Sequence, residues 1–317
     1  MTVVGFIGLG HMGGPMCAHV IDAGFEVSAF DLDPAAVEQV TGAGARARAA
    51  GSVADCADGA EILLTSLPGP RQVDQVLNGP DGAIAALTPD ALVIELSTSS
   101  LEVGRRALAA ARARGVSIID APVAGQTIGA QAGTLAIYVG GDLDAFERAL
   151  PVLRAIGDPE RILHVGEHGS GYAVKLLLNL TWFMHAVATA ETLAVGVRAG
   201  VGLDKLHHAL VNSPANSNFL QRDVRMLLDD GDYDAGFPMK LVTKDLALAV
   251  DLARDVGLPV EMTALVEQIH RRARAGYGDA AGELSAIRLY EDLAGIELRW
   301  PKGPSDQPAA SQPPRPS

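Results

Sequence analysis

The chain opens with a short apolar run that leads directly into a glycine-rich turn, VVGFIGLGHMGG at residues 3–14. Gly8, Gly10 and Gly13 have the spacing G-x-G-x-x-G, which is typical of a dinucleotide site when it joins a strand to a helix. The first glycine allows the tight turn, the second lets the backbone approach a pyrophosphate, and the third lets helix and strand pack closely. The helix N-terminus offers the phosphates free N–H groups and a partial positive charge. A dinucleotide site is therefore favoured over a glycine turn without a ligand.

A second strand, predicted at residues 26–31, ends in Asp31. An acidic side chain at this place accepts hydrogen bonds from the ribose hydroxyls of the cofactor and repels a 2′-phosphate. No arginine follows in the next three residues, Leu-Asp-Pro, to neutralise such a phosphate. The sequence therefore predicts NAD rather than NADP, and the alternative is a surface aspartate at a strand end.

The first half of the chain alternates apolar strands with helical stretches. Further strand-like runs lie at residues 61–67, 91–97, 117–123, 134–140 and 162–165, separated by stretches with helical spacing. This alternation predicts βαβ units and a Rossmann-type, doubly wound and mainly parallel sheet covered on both faces.

The second half is predicted to be helical throughout. Apolar residues recur at helical spacing over residues 173–199, 203–212, 217–228, 239–256, 259–275 and 284–293. The first of these helices is unusually long, which is typical of a helix that joins domains or crosses a subunit interface. We expect an α/β NAD-binding domain at 1–167, an all-α substrate and oligomerisation domain at 168–300, and a disordered tail at 301–317.

Composition and charge exclude several classes of protein. The 317 residues are 48% hydrophobic, which argues against a disordered or fibrous chain, and the formal net charge is -13. Such a charge repels nucleic acid and anionic membranes, so neither is expected as a partner. The long helix also contains Asn179, His185 and Glu191, which are costly in a bilayer. Two cysteines cannot form a disulfide framework, and the start of the chain has no basic segment of a signal peptide, so a cytoplasmic protein is expected.

Lys175 and Asn179 stand four residues apart near the start of the long helix, so they share one face. Their neighbours are mostly apolar, and desolvation next to a positive nicotinamide disfavours the charged form of a lysine. A neutral amine can act as a general base on a substrate hydroxyl, with the asparagine orienting the substrate or the ammonium. On spacing alone, a lysine that reaches to solvent beside an unrelated asparagine remains an alternative.

Two other stretches are candidates for the site. The sequence DAPVAGQ at residues 120–126 makes a stiff loop at the carboxyl end of a strand, where open α/β sheets bind ligands. Lys244, beside Asp245 in a later helix, is either functional or part of a salt-bridged surface. The histidines and cysteines have no metal-ligand spacing, so no metal is expected.

These motifs resemble the β-hydroxyacid dehydrogenase family, typified by 3-hydroxyisobutyrate dehydrogenase and tartronate semialdehyde reductase, and related to 6-phosphogluconate dehydrogenase and the imine reductases. The likeness extends from residue 3 to about residue 293 and includes the glycine turn, Leu67-Pro68, Ser97-Thr98, the Lys175 helix and Lys244. The resemblance implies that Lys175 is catalytic and that Asn179 contacts the substrate. It implies cofactor binding by Gly8, Gly10, His11, Met12, Gly13, Asp31, Leu67, Pro68, Thr98 and Lys244.

The substrate loop departs from the pattern of the family, which usually reads Asp-Ala-Pro-Val-Ser-Gly-Gly. This chain has Ala124 in place of the serine and Gln126 in place of the second glycine, around Gly125. We expect the substrate to contact Ala124, Gly125, Gln126 and Asn179. Because a hydroxyl donor is lost and a bulky amide enters, we expect a substrate other than 3-hydroxyisobutyrate. Either Gln126 donates to the acid group, or the substrate lacks a simple carboxylate.

The resemblance implies reversible hydride transfer between NAD and the hydroxyl or carbonyl carbon of a small β-hydroxy acid or semialdehyde, with Lys175 as general acid and base. It also implies a homodimer or homotetramer. Two alternatives remain open. An imine reductase has the same fold but usually carries another residue at the lysine position, and a dinucleotide-binding protein without turnover tends to lose that lysine.

Overall fold

The computed structural model describes residues 2–42, 46–234 and 236–301, which fall into two compact units. The first unit holds the chain up to Asn179 together with Ala247–Val260, and the second holds the remainder. The division therefore lies inside the long helix and not at the expected boundary between 167 and 168. The physical reason is that the first turns of this helix are bonded to the sheet, as described below. Apart from residue 301, the expected disordered tail lies outside the described residues.

The first unit is built on a nine-stranded sheet. The strands are β1 (Val3–Ile7), β2 (Glu26–Phe30), β3 (Ala47–Ala49), β4 (Ile62–Thr65), β5 (Leu92–Glu95), β6 (Ser117–Asp120), β7 (Val123–Ala124), β8 (Leu135–Gly140) and β9 (Gly157–Gly166). They lie in the order β3-β2-β1-β4-β5-β6-β8-β7, and β9 pairs with β8. Neighbours from β3 to β6 are parallel, as are β8 and β9, whereas β8 runs antiparallel to β6 and β7. The predicted doubly wound, mainly parallel sheet is confirmed.

Two details of the strand prediction are wrong. The run at 117–123 is not one strand, because Pro122 has no N–H for the ladder and separates β6 from β7. The edge strand β3 was not predicted, since Ala-Arg-Ala carries no apolar run or β-branched residue.

Helices cover both faces of this sheet. They are α1 (Gly13–Asp22), α2 (Pro34–Thr41), α3 (Val53–Ala57), α4 (Pro70–Asn78), α5 (Ala83–Ala86), α6 (Leu101–Ala113), α7 (Gln126–Ala132) and α8 (Leu143–Ile156). Successive side chains of a strand point to opposite faces. Leu92 and Ile94 of β5 therefore enter one apolar core, while Val93 between them enters a second. This double burial explains the continuous apolar strands of the sequence.

The predicted all-helical second half is also confirmed. Its helices are α9 (Ser170–Arg198), α10 (Leu203–Val211), α11 (Arg225–Asp230), α12 (Met239–Asp255), α13 (Glu261–Tyr277) and α14 (Ser285–Ala294). The stretch expected as one helix at 217–228 instead begins with a π-helical turn, Phe219–Asp223, which leads into α11. In the described residues beyond 170, strand-like pairing is confined to a single bridge between Pro238 and Gly282.

Candidate active site

Apart from Lys244, the predicted cofactor residues lie in or beside loops at one edge of the sheet. The strand order reverses between β1 and β4, and open α/β sheets bind ligands beside such a reversal, outside the carboxyl ends of the strands. The glycine turn follows β1, Leu67 and Pro68 follow β4, and Thr98 follows β5. The loops are joined directly, because the backbone N–H of Leu67 donates to Ser97 Oγ at 2.8 Å.

The glycine turn is packed so tightly that two of its positions exclude any side chain. A Cβ at Gly8, where φ is +93°, would lie 2.2 Å from the Ser66 carbonyl oxygen, and one at Gly13 would lie 1.9 Å from the Gly8 carbonyl oxygen. A Cβ at Gly10 would meet no protein atom within 4 Å. Gly10 and the neighbouring His11 are exposed, and Met12 is half-buried. The open space above Gly10 fits the close approach of a pyrophosphate.

Asp31 follows β2 and is fixed beside this turn. Its two carboxylate oxygens accept hydrogen bonds from the backbone N–H of Leu9 at 2.6 Å and of Asp33 at 2.8 Å. Carboxylate oxygens have more than one acceptor position each, so these bonds leave capacity for ribose hydroxyls. The acidic group was predicted from the sequence, but its hydrogen bond to the glycine turn was not.

Lys175 and Asn179 meet on α9, as their spacing predicts. Both side chains are half-buried, and the Lys175 Nζ donates to Asn179 Oδ1 at 3.1 Å. The amide oxygen therefore helps to fix the position of the amine. The catalytic role of Lys175 and the substrate role of Asn179 remain predictions.

The start of α9 is held by Asp120, the last residue of β6. Its carboxylate is fully buried and accepts hydrogen bonds from the backbone N–H of Gly169 at 2.6 Å and of Tyr172 at 2.8 Å. It thus satisfies N–H groups that a helix start leaves without partners. A Cβ at Gly171 would lie 2.7 Å from Asp120 Oδ2, so only glycine permits this approach. Burial raises the pKa of Asp120 to about 6, against the opposing effect of these hydrogen bonds.

A second buried carboxylate, Glu95, ends the neighbouring strand β5, and its backbone pairs with that of Asp120. It accepts hydrogen bonds from the Tyr172 hydroxyl at 2.6 Å, from the Ser97 N–H at 3.0 Å and from the Thr65 hydroxyl at 3.3 Å. Burial raises its pKa to about 7, which these hydrogen bonds partly oppose. Glu95 belongs to none of the motifs recognised in the sequence. The signal that could have found it is an acidic residue closing a continuous apolar strand, as Asp120 also does.

His168 lies next to this pair but does not compensate its charge. Its side chain is 7% exposed and its Nε2 is 3.9 Å from Asp120 Oδ1. Burial lowers the pKa of His168 to about 4. The imidazole is therefore neutral at pH 7, so this contact is not an ion pair and the two carboxylates depend on hydrogen bonds.

The substrate loop has an unusual backbone. Ala124 is half-buried in β7, and Gly125 and Gln126 are exposed, with φ values of +138° and +56°. Glycine adopts the second of these conformations readily, whereas other residues do so at a cost of about 1 kcal/mol or more. The glutamine therefore occupies a backbone position suited to glycine, and such strain is found preferentially at functional sites.

Lys244 lies on α12 in the second unit. Its Nζ is 3.0 Å from Asp245 Oδ1, and the two side chains are 25% and 2% exposed. The ion pair was one of the two expected outcomes, and a role at the nicotinamide remains a prediction. In the part of the chain that the structure describes, no three His, Cys, Asp or Glu side chains are grouped closely enough to hold a metal ion.

Two family models match the chain in order. One, described as the NAD binding domain of 6-phosphogluconate dehydrogenase, matches residues 3–166. The other, described as NAD-binding of NADP-dependent 3-hydroxyisobutyrate dehydrogenase, matches residues 169–290. Together they span both halves of the fold and all the predicted site residues.

Curated relatives agree with these models over almost the whole length. The 2-(hydroxymethyl)glutarate dehydrogenase of Eubacterium barkeri is 36% identical over 93% of this chain and 97% of its own length. The 3-hydroxyisobutyrate dehydrogenase of Pseudomonas aeruginosa is 36% identical over 85% of this chain and 91% of its own.

Solved structures show the same architecture. A 3-hydroxyisobutyrate dehydrogenase from Mycobacterium tuberculosis, solved with L-serine, has a TM-score of 0.83 at 29% identity and covers 91% of this chain and 99% of its own. An imine reductase from Myxococcus stipitatus, solved with NAD+, has a TM-score of 0.61 at 18% identity, covers 91% and 98%, and shares the fold alone. From the two family models and the full-length relatives, the chain belongs to the β-hydroxyacid dehydrogenase family.

Proposed function

We propose that this protein is an NAD-dependent dehydrogenase or reductase that acts on the hydroxyl or carbonyl carbon of a small β-hydroxy acid or its semialdehyde. The observation that carries the proposal is the half-buried Lys175 amine, bonded to Asn179 on a helix that buried Asp120 fixes to the sheet. A general acid and base must be held in position to be effective, and this amine is held by both its neighbour and its helix.

In this proposal Lys175 moves the proton of the substrate oxygen. During oxidation the neutral amine takes the hydroxyl proton, and during reduction the ammonium returns a proton to the carbonyl oxygen. NAD held at the turn from Gly8 to Gly13 would supply the hydride-transfer chemistry at the same carbon. Asn179 accepts a hydrogen bond from the amine in either state, which keeps Lys175 aimed at one place.

For the cofactor, we propose a preference for NAD. The Asp31 carboxylate is fixed beside the glycine turn by two backbone hydrogen bonds, so a 2′-phosphate near it would meet a negative charge that cannot easily turn away. No basic residue follows Asp31 in the loop that leads to Pro34. We assign the phosphates to the turn from Gly8 to Gly13, where the open space above Gly10 permits their approach.

For the substrate, we propose a hydroxy acid other than 3-hydroxyisobutyrate. Ala124 lacks the hydroxyl that the family pattern places in this loop, and Gln126 brings an amide donor to a strained position two residues later. An amide N–H can donate to a carboxylate, so the loop still suits an acid group, now recognised from a different point.

The same residues bear on two alternative functions. An imine reductase has this fold, but the presence of Lys175 favours proton transfer to or from a substrate oxygen. Turnover of a cyclic imine in preference to any carbonyl compound would support the imine reductase. A cofactor-binding protein without turnover would have no need for the bonded pair of Lys175 and Asn179. Such a protein would bind NAD and turn over no substrate.

We further propose a cytoplasmic homodimer or homotetramer. The helix α9 is long and apolar enough to cross a membrane by length and composition, with 39% of its most apolar window buried within the chain. Phe183, Ala190 and Leu193 of this helix are buried in the second unit, which is typical of the core helix of a globular protein. We assign part of its remaining apolar surface to a subunit interface, which light scattering on purified protein would detect as a dimer or tetramer.

The test is a panel of substrates with NAD or NADP. It contains 3-hydroxyisobutyrate, 2-(hydroxymethyl)glutarate and L-serine for oxidation, and the corresponding semialdehydes with the reduced cofactors, followed by absorbance at the NADH band. We expect turnover of at least one hydroxy acid pair, a higher kcat/KM with NAD than with NADP, and a low rate with 3-hydroxyisobutyrate. The absence of any carbonyl or hydroxyl turnover, with NAD binding intact, would contradict the proposal.

A further inference from the structure

Two elements of the proposed site meet at one buried carboxylate that no motif identifies. Glu95 is fully buried at the carboxyl end of β5, and three residues donate hydrogen bonds to it: Thr65, Ser97 and Tyr172. Thr65 ends β4, Ser97 lies in the loop after β5, and Tyr172 lies in the first turn of α9. The carboxylate therefore connects the cofactor side of the sheet to the helix that carries Lys175.

One arm of this connection leads to the proposed general acid and base. The Tyr172 hydroxyl donates to Glu95 Oε2 at 2.6 Å, while the backbone N–H of the same residue donates to Asp120 at 2.8 Å. Lys175 follows three residues later, one helical turn along nearly the same face. The two bonds on Tyr172 fix the rotation of this turn about the helix axis, and so the direction in which Lys175 leaves it.

The other arm leads to the cofactor loop. Glu95 Oε1 accepts the Ser97 N–H at 3.0 Å. Ser97 Oγ in turn accepts the backbone N–H of Leu67 at 2.8 Å. Leu67 is one of the residues to which the family resemblance assigns cofactor contact, so the position of that loop depends on the orientation of Ser97.

A carboxylate at this depth is a poor choice for stability alone. Removing a carboxylate from water costs several kcal/mol, and apolar residues of similar volume often stabilise a protein as well or better. Burial accordingly raises the pKa of Glu95 to about 7. A residue whose burial is this unfavourable, and whose donors belong to the loops and helix of a site, is explained better by its effect on geometry than by its contribution to folding.

We infer that Glu95 is a positioning residue of the reaction, which aligns the Lys175 helix through Tyr172 and the Leu67 loop through Ser97. The inference rests on the proposed function, because it assigns to Lys175 the proton transfer and to the Leu67 loop the cofactor. It adds that one fully buried side chain, which has no exposed surface to offer substrate or cofactor, contributes to the alignment of both elements.

The test separates the two arms by their readouts. Tyr172→Phe removes one hydroxyl and keeps the ring, so kcat on the best substrate of the panel should fall about 10- to 100-fold while the Kd for NAD stays within twofold. Ser97→Ala should raise the Kd for NAD about 3- to 10-fold, measured by isothermal titration calorimetry, with kcat at saturating NAD within threefold. Glu95→Gln should change both quantities.

A matched control lies in the second unit, where the Tyr233 hydroxyl donates to Glu291 Oε2, also at 2.6 Å. Tyr233→Phe should lower the melting temperature about as much as Tyr172→Phe and leave both kcat and the Kd for NAD unchanged. Melting curves of all four variants establish that each is folded during the measurement.

The outcomes distinguish this inference from the proposed function. If Tyr172→Phe lowers kcat no more than Tyr233→Phe, or if Ser97→Ala leaves NAD affinity unchanged, Glu95 serves the fold only and the inference is overturned. If Lys175→Ala retains turnover near the wild-type level, the proposed function fails whatever the other variants show. Loss of turnover in Lys175→Ala together with normal kinetics in Tyr172→Phe would overturn the inference and leave the proposed function standing.

Discussion

The carboxyl edge of the sheet contains two regions that are constructed by opposite means. After β1 and β2, the proposed cofactor site is made by backbone: glycines whose Cβ atoms would overlap carbonyl oxygens, and backbone N–H groups bonded to Asp31. After β5 and β6, the alignment is made by buried side chains, with Glu95 and Asp120 both bonded to Tyr172. The first region is open to solvent at Gly10, whereas the second is closed.

The two regions therefore tolerate different kinds of substitution. In the region built from backbone, the effect of a substitution depends on steric overlap. A single added methyl group therefore distinguishes positions that pack against the backbone from positions that are proposed to contact the cofactor. In the region built from buried carboxylates, the volume is already filled. The effect of a substitution there depends on the charge state and on the hydrogen-bond partners.

The largest effect is expected from a methyl group in the glycine turn. Gly13→Ala places a Cβ 1.9 Å from the Gly8 carbonyl oxygen, so the turn must deform. The free energy of unfolding should fall by about 3 kcal/mol or more, and NAD binding should no longer be measurable. Gly10→Ala, where the Cβ meets no protein atom within 4 Å, should leave the melting temperature unchanged and still weaken NAD binding. Normal NAD affinity in Gly10→Ala would show that no phosphate approaches this position.

The next effect is a pH dependence of stability on the carboxylate side. Because the folded protein raises the pKa of Glu95 from an ordinary 4.5 to about 7, protonated Glu95 is favoured in the fold. The stabilisation of the folded state that comes from this raised pKa is fully present below about pH 4.5 and is lost as the pH rises through about 7. The free energy of unfolding of wild type relative to Glu95→Gln should therefore fall by about 3 kcal/mol across this window.

Urea unfolding of both proteins at several pH values between 4.5 and 8 measures this difference. Asp120 and His168 titrate in both proteins, so most of their contribution cancels in the comparison. A difference that does not vary with pH would mean that Glu95 keeps an ordinary pKa, and the description of this region as one governed by buried charge would be wrong.

A smaller effect is expected at Asp31. Asp31→Asn keeps an oxygen acceptor for the turn but removes the charge, so the ratio of kcat/KM with NADP to that with NAD should rise about 10-fold. Asp33→Asn is the matched control, since it removes the same charge two residues away at the cap of α2, where asparagine caps equally well. It should change the ratio less than twofold, and an equal change in both variants would indicate a general effect of net charge.

The smallest effect concerns the strained position in the substrate loop. Gln126→Gly relieves a φ of +56° and should raise the free energy of unfolding by about 1 kcal/mol, while KM for the acid substrate rises. Gln131→Gly in the same helix α7 removes another glutamine from ordinary helical backbone and should lower stability by about 1 kcal/mol. If Gln126→Gly leaves KM unchanged, the amide does not recognise the substrate.

The comparison also explains which parts of the molecule the sequence made predictable. The glycine turn could be located because glycines are required where a Cβ would overlap backbone, and that requirement leaves a fixed spacing. The strands could be located because burial on both faces demands continuous apolar runs. The long helix and the meeting of Lys175 with Asn179 follow from helical periodicity alone.

What could not be predicted depends on contacts between distant parts of the chain. Glu95 and Tyr172 are separated by 77 positions, and no spacing rule relates the hydroxyl of one to the carboxylate of the other. The division between the two compact units falls inside α9 for the same reason, since Asp120 bonds the first turn of this helix from 52 residues away. Pro122 was visible in the sequence, and its missing N–H was a signal that the strand at 117–123 would break there.

The proposed function depends on proton transfer by the Lys175 amine during hydride transfer. The most direct measurement is the kcat of Lys175→Ala on the best panel substrate, together with its Kd for NAD. We expect a fall in kcat of about 10²- to 10⁴-fold with the Kd for NAD unchanged. Turnover within a few fold of wild type, with the same affinity for NAD, would contradict it.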